Sequence, residues 1–138
     1  MKAIYPGSFN PFHEGHLNIL TKALNIFDEI YIVVTKNINK INDSNFSSRM
    51  EKINKAVNNP KVHVIINENE LTIEIAKKYQ CSHIIRGLRS DTDFKYELEY
   101  YDGNKFLDPN IETIYFISDH EKRKLSSTII KEIANYKK

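Results

Sequence analysis

The sequence predicts an α/β fold: a five-stranded parallel sheet with helices wound onto both of its faces. Three observations carry this. Short runs rich in Ile, Val and Tyr alternate five times with stretches whose apolar residues fall three and four apart. One of those runs, EIYIVVT at 29–35, has no charge inside it, as a strand covered on both faces requires. No repeat, low-complexity tract or Pro/Gly-rich linker divides the 138 residues, so a single domain over 1–138 is expected.

The elements follow in order. Residues 2–5 form a short strand, stopped by a turn that holds Pro6 and Pro11. From Gly15 the period changes, with Leu17, Leu20, Leu24 and Phe27 on one helical face. The 29–35 strand leads into 36–46, which is polar and Asn-rich and reads as a loop. Residues 47–58 are helical, with Met50, Ile53 and Val57 on one side. Strand 62–66 precedes helix 71–79, and strand 82–86 (SHIIR) precedes a helix over 91–107, weakened at its far end by Gly103. Strand 111–117 and helix 126–136, with Ile129, Ile130 and Ile133 apolar, complete the chain. Such sheets bind ligands at the carboxyl ends of their strands, so the loops at 6–15, 36–46, 87–93 and 118–126 are where function is expected.

Composition removes several function classes. A net charge of +2 is too balanced for a protein whose main task is gripping nucleic acid by its phosphates. The lone Cys81 cannot form an internal disulfide and reads as a small buried hydrophobe; no Cys/His cluster has metal-site spacing. The longest apolar run, 30–34, is far short of the roughly 18 residues a membrane span needs. No apolar signal region precedes Pro6 and Gly7, so a cytoplasmic protein without membrane attachment is expected. The scarce residues are informative. There are 4 Gly, and of the 20 basic residues 16 are Lys and only 4 are Arg.

Gly7, Ser8 and Phe9 follow the first strand, and His13-Glu14-Gly15-His16 opens the first helix. A helix start offers unpaired N–H groups and a positive dipole end, which suits phosphate. His13 and His16 can each donate to phosphate oxygens; solvated polar residues at a helix start are the alternative. Strand, then G-S/T-F-x-P, then H/T-x-G-H opening a helix resembles the nucleotidyltransferase superfamily, whose Rossmann-like doubly wound fold the alternation already predicts. Two of the four arginines, Arg86 and Arg89, stand at the end of the fourth strand on either side of Gly87 and Leu88. Guanidinium groups hold phosphate bidentately and stay charged at any working pH. Exposed ion pairs with Asp91 or Asp93 are the alternative there.

The run Ile85-Arg86-Gly87-Leu88-Arg89, then Asp93-Phe94 and Tyr96-Glu97, resembles the phosphopantetheine adenylyltransferases of that superfamily. Ala3 to Phe9 and Leu125 to Glu132 match the same family, so the resemblance spans essentially the whole chain. It implies transfer of the adenylyl group of ATP to 4′-phosphopantetheine, giving dephospho-coenzyme A and pyrophosphate. It further implies magnesium (Mg²⁺) with the ATP and a homo-oligomer, a hexamer in that family. By this resemblance Ser8 touches both substrates, and His16 stabilises the transition state with Lys40 and Arg89. Phe9, His13, Gly87, Leu88, Glu97 and the stretch Lys122, Arg123, Lys124, Leu125, Ser126, Ser127 and Thr128 fall on the ATP side. Lys40, Leu71, Thr72, Arg86 and Asn104 fall on the phosphopantetheine side.

Three departures stand out. His13 replaces a Thr, 122–124 is more basic than the family's stretch, and Gly103 replaces an apolar residue. The reaction needs alignment of two anions and neutralisation of charge, and no strong base or covalent intermediate. That fits histidines, lysines and arginines spread over several loops. A cytidylyl- or adenylyltransferase acting on another phosphate, and a nucleotide-binding module without turnover, are the rival readings.

Overall fold

Strand and helix alternate through β1 (Lys2–Gly7), α1 (Glu14–Leu24), β2 (Glu29–Thr35), α2 (Phe46–Ala56), β3 (Val62–Asn67), α3 (Thr72–Lys78), β4 (His83–Leu88), α4 (Phe94–Leu107), β5 (Glu112–Ile117) and α5 (Ser127–Tyr136). These elements are seen in a computed structural model, which describes residues 1–36, 45–119 and 125–137. The strands lie in the order β3-β2-β1-β4-β5, and every neighbouring pair is parallel. The predicted five-stranded parallel sheet is the observed one.

Strand alternation divides the core into two layers. Ala3, Tyr5, Ile30, Ile32, Val34 and Ile85 face one way, against Ile19, Leu20 and Ala23 of α1 and Ile53 of α2. Ile4, Val33 and Ile84 face the other, against Ile73, Ile75 and Ala76 of α3 and Tyr100 of α4. Cys81 belongs to this second layer, and burial pushes its thiol up to about 11, so it behaves as the inert hydrophobe expected of it. On α5 no residue is buried. Among the described residues no helix is long and apolar enough to cross a membrane.

Three boundaries differ most from the sequence reading. β1 runs on through Pro6 and Gly7, which pair with Val33 and Val34 of β2, so the turn begins only after them. β4 runs on through Gly87 and Leu88, which pair with Phe116 and Ile117 of β5. α4 starts at Phe94 instead of 91 because the Asp93 carboxylate accepts from the Tyr96 N–H at 3.1 Å and caps the helix there. The helix then continues through Gly103 to Leu107. A Cβ on Gly103 would meet nothing within 4 Å. Gly103→Ala should therefore raise stability by about 0.5–1 kcal/mol, the usual penalty of an exposed helical glycine. Thermal melts of the two proteins check this, and a lower Tm for the alanine variant would contradict it.

The strand order reverses direction at β1 and β4, which is where open α/β sheets bind ligands. These two strands pair only at Ala3↔His83 and Ile4↔Ile84. Their carboxyl halves therefore diverge, and Pro6, Gly7, Arg86 and Gly87 flank the gap that opens.

Candidate active site

A cavity of about 170 Å³ fills that gap. β1 contributes Gly7, and the loop and first turn that follow contribute Phe9, His13, Gly15 and His16. β4 and its loop contribute Arg86, Gly87 and Arg89, and Ser118 enters from the end of β5. The motifs at 6–16 and 85–89 thus meet in space. Ser118 carries no sequence motif. The only signal for it was its position directly after the fifth strand.

The two histidines cap α1 reciprocally. His13 Nδ1 accepts from the Gly15 N–H at 3.0 Å, and His16 Nδ1 accepts from the His13 N–H at 3.1 Å. An imidazole whose Nδ1 accepts carries its proton on Nε2, so each ring keeps an Nε2–H donor. Their rings stack with centroids 3.9 Å apart, and Phe9 meets His16 edge-on at 4.9 Å. Burial, then the charges of His13 and Arg89, lower the His16 pKa to about 4. Burial and Arg89 lower that of His13 as well. At neutral pH, then, His16 is a neutral donor of one defined tautomer and contributes no charge. Gly15 is required here for space: a Cβ would stand 2.9 Å from His13 Cε1 and 3.1 Å from its Nδ1, too close to the ring that caps the helix.

Arg89 Nη1 stands 3.4 Å from His13 Nε2. With the tautomer set by the cap, both groups are donors, so they face each other across a position suited to a shared anionic oxygen. The Arg89 N–H is held by Thr92 Oγ1 at 2.8 Å, which ties the loop down. Arg89→Ala should therefore raise the KM for a triphosphate substrate and lower kcat/KM by about 30- to 300-fold. Steady-state kinetics check this, and unchanged constants would make Arg89 a surface residue.

Arg86 points to the other face of the sheet from Gly87. Its Nε and Nη2 donate to the two oxygens of Glu97 at 2.9 and 2.7 Å, and its guanidinium lies 4.3 Å from the Tyr100 ring centroid. Both partners come from α4. Leu88, which alternation places on the Arg86 side, lines a separate apolar pocket of about 350 Å³ with Phe94, Glu97, Leu98, Tyr101 and Tyr115. Glu97 is buried at the junction of the two, and Tyr115 Oη donates to its backbone carbonyl.

Comparison with known proteins agrees with this geometry. A model of the cytidylyltransferase-like family matches residues 4–133. Over 137 residues the chain is 61% identical to the phosphopantetheine adenylyltransferase of Mycoplasma capricolum subsp. capricolum, covering 99% of this chain and 98% of that protein. The chain belongs to the phosphopantetheine adenylyltransferase family. The member from Mycoplasma mycoides subsp. mycoides SC is 62% identical over the same length, with the same coverage. In fold the chain is similar to a lipopolysaccharide core biosynthesis protein from Thermoplasma volcanium GSS1. The TM-score is 0.64 at 19% identity, over 86% of this chain and 97% of that one.

The remaining positions drawn from the phosphopantetheine adenylyltransferase resemblance are scattered. Ser8 sits half-buried beside the cavity, and its carbonyl turns towards α2. Leu71 and Thr72 lie at the start of α3, past the carboxyl end of β3, with Leu71 exposed. Asn104 lies ten residues into α4, roughly 15 Å along its axis from Phe94. It is buried, and its Nδ2 has no hydrogen-bond partner. Leu125, Ser126, Ser127 and Thr128 form the exposed start of α5, where Ser126 Oγ accepts from the Ile129 N–H at 3.2 Å and caps the helix. They do not line the histidine–arginine cavity. Lys40, Lys122, Arg123 and Lys124 lie outside the described residues.

Proposed function

We propose that this member of the family transfers the adenylyl group of ATP to 4′-phosphopantetheine, the step that makes dephospho-coenzyme A and pyrophosphate in coenzyme A biosynthesis. An oxygen of the phosphopantetheine phosphate attacks the α-phosphorus of ATP. The bond from that phosphorus to the oxygen bridging the β-phosphate breaks, and pyrophosphate leaves with the electron pair. The nucleophile is already an anion, so the protein has to align and stabilise more than to activate.

The observation that carries this reading is the convergence of His16, His13 and Arg89 on one cavity whose described lining holds no carboxylate, although Arg89 Nε also lies 3.9 Å from the exposed Asp91 carboxylate. His16 Nε2–H meets the charge that builds on the α-phosphate oxygens, and His13 with Arg89 holds the phosphates further along. Gly87 and Ser8 give backbone approach. Arg86, aimed by Glu97, faces the acceptor phosphate, a contact that the resemblance also assigns to Lys40. Leu71, Thr72 and the buried donor of Asn104 suit the amide-bearing arm of the acceptor. By resemblance, Leu125 to Thr128 and Lys122 to Lys124 are assigned to the nucleotide.

The described cavity lining includes no carboxylate. Mg²⁺ would therefore be held by the triphosphate oxygens and water, where it screens the charge of ATP. The exposed apolar face of α5, with Ile129, Ile130 and Ile133, supports a homo-oligomer, read as a hexamer by resemblance. A cytoplasmic setting accords with the substrates. The test is pyrophosphate release on incubation with ATP or CTP and a panel of phosphate acceptors. Release with ATP and 4′-phosphopantetheine supports the reading; release only with CTP, or only with another acceptor, overturns it.

A further inference from the structure

Arg49 has the most deeply buried charged side chain among the described residues, at 2% exposure. It stands on the first turn of α2, outside every motif above. Its Nη1 donates to the carbonyl of Ser8 at 2.7 Å and to that of Thr35 at 3.3 Å. The guanidinium carbon lies 4.6 Å from the centroid of the Phe46 ring. Ser8 is one residue past β1 and Thr35 is the last of β2, so one nitrogen joins the carboxyl ends of two central strands. A buried cation is costly, and a Leu or Met would fill the same space without that cost. What the guanidinium adds is a directed grip on these carbonyls in a chain that otherwise favours Lys.

That grip has a consequence for the cavity. In a trans peptide the carbonyl and the following N–H point opposite ways, so holding the Ser8 carbonyl towards α2 turns the Phe9 N–H away from it. Phe9 has φ +48°, a conformation that a bulky residue keeps only when its surroundings enforce it. Its ring atom Cζ lies 3.0 Å from where a Cβ of Gly7 would be, and the ring meets His16 edge-on. Arg49, the Ser8–Phe9 peptide, the Phe9 ring and the His16 imidazole are thus consecutive contacts.

We propose that Arg49 is a positioning residue for adenylyl transfer, holding the Ser8–Phe9 peptide through the Ser8 carbonyl and the His16 ring through Phe9. Lysine at this position keeps the charge but puts its donors on one flexible ammonium in place of the planar, fixed fork, and glutamine removes the charge. The experiment measures melting together with kcat and both KM values for wild type, R49K, R49Q, H16A and the H16A/R49K pair. R49K is expected to remain folded at 25 °C, with the KM for ATP within about threefold and kcat at least about tenfold lower. The pair should lose less than the product of the two single losses, because both act through one arrangement. Three results would overturn the proposal: an R49K kcat within about twofold of wild type, single losses that multiply, or R49K and R49Q both unfolded at 25 °C. The inference rests on the adenylyl-transfer reading, and wild-type turnover separates the two. Its absence removes both, whereas its presence with an unaltered R49K kcat removes only this one.

Discussion

His16→Ala should lower kcat by about 10²–10³-fold while leaving the KM for ATP within a small factor, the usual effect of removing one preorganised donor to transition-state charge. The reason is geometric. The His16 ring is stacked on His13, met edge-on by Phe9 and fixed at Nδ1 by the His13 N–H, so its Nε2–H needs no reorganisation when charge develops. Ground-state binding is shared with Arg89 and His13 and should survive. Single-turnover and steady-state rates with the pyrophosphate readout check this. A kcat within about threefold of wild type would remove His16 from the transition state.

The same residue sets a pH signature. The His16 pKa lies near 4, because of burial first and then the His13 and Arg89 charges, against 6.5 for an ordinary imidazole. Between those values the unfolded chain binds more protons at this site than the folded one. Stability therefore rises with pH across the window and is lost as pH falls from 6.5 towards 4. Melts at neutral pH and near pH 4.5 should show a smaller difference in H16A than in wild type. For the same reason kcat should not follow an ordinary histidine titration near pH 6.5, since His16 stays neutral there.

Glu97→Ala should be the most destabilising single change considered. The Glu97 side chain is 7% exposed and accepts both hydrogen bonds from Arg86, whose own side chain is 22% exposed. Removing the carboxylate leaves a largely buried cation beside the Tyr100 ring without its bidentate acceptor. The partial exposure of Arg86 puts the cost at the low end for a broken buried pair, about 3 kcal/mol, which is roughly a 10 °C fall in Tm for a chain of this size. Glu97→Gln, which keeps one acceptor and the shape, should lose about half as much. Because Arg86 also lines the cavity, both variants should raise the KM for 4′-phosphopantetheine more than that for ATP. Differential melting with the two KM values checks this; a larger change in the KM for ATP would mean that Glu97 acts on the nucleotide directly.

The periodic elements were legible from sequence because they depend on short-range pattern. The run 29–35, charged only at its first residue Glu29, had the pattern of an interior strand, and the spacing of Leu17, Leu20 and Leu24 had that of a half-buried helix, although the buried face falls on Ile19, Leu20 and Ala23 and leaves Leu17 exposed. The two motifs were legible for a related reason. Gly and Arg are scarce in this chain, and both cluster where strands hand over to helices. Arg49 was not legible, because a lone arginine within a helical pattern looks the same whether it faces water or a buried carbonyl 41 residues away in sequence. The family resemblance assigns Arg86 and Glu97 to different substrates, and nothing local shows that residues 11 positions apart share two hydrogen bonds.

By itself, then, the sequence determined the sheet, its all-parallel sense and which loops would carry the chemistry, since hydrophobic period and turn chemistry act within a few residues of each other. The tertiary structure alone decided how far β1 and β4 part, which nitrogen of His16 keeps its proton, and what holds Arg86 and the Ser8–Phe9 peptide in place. Those depend on distances between groups far apart in the chain, and only packing sets them.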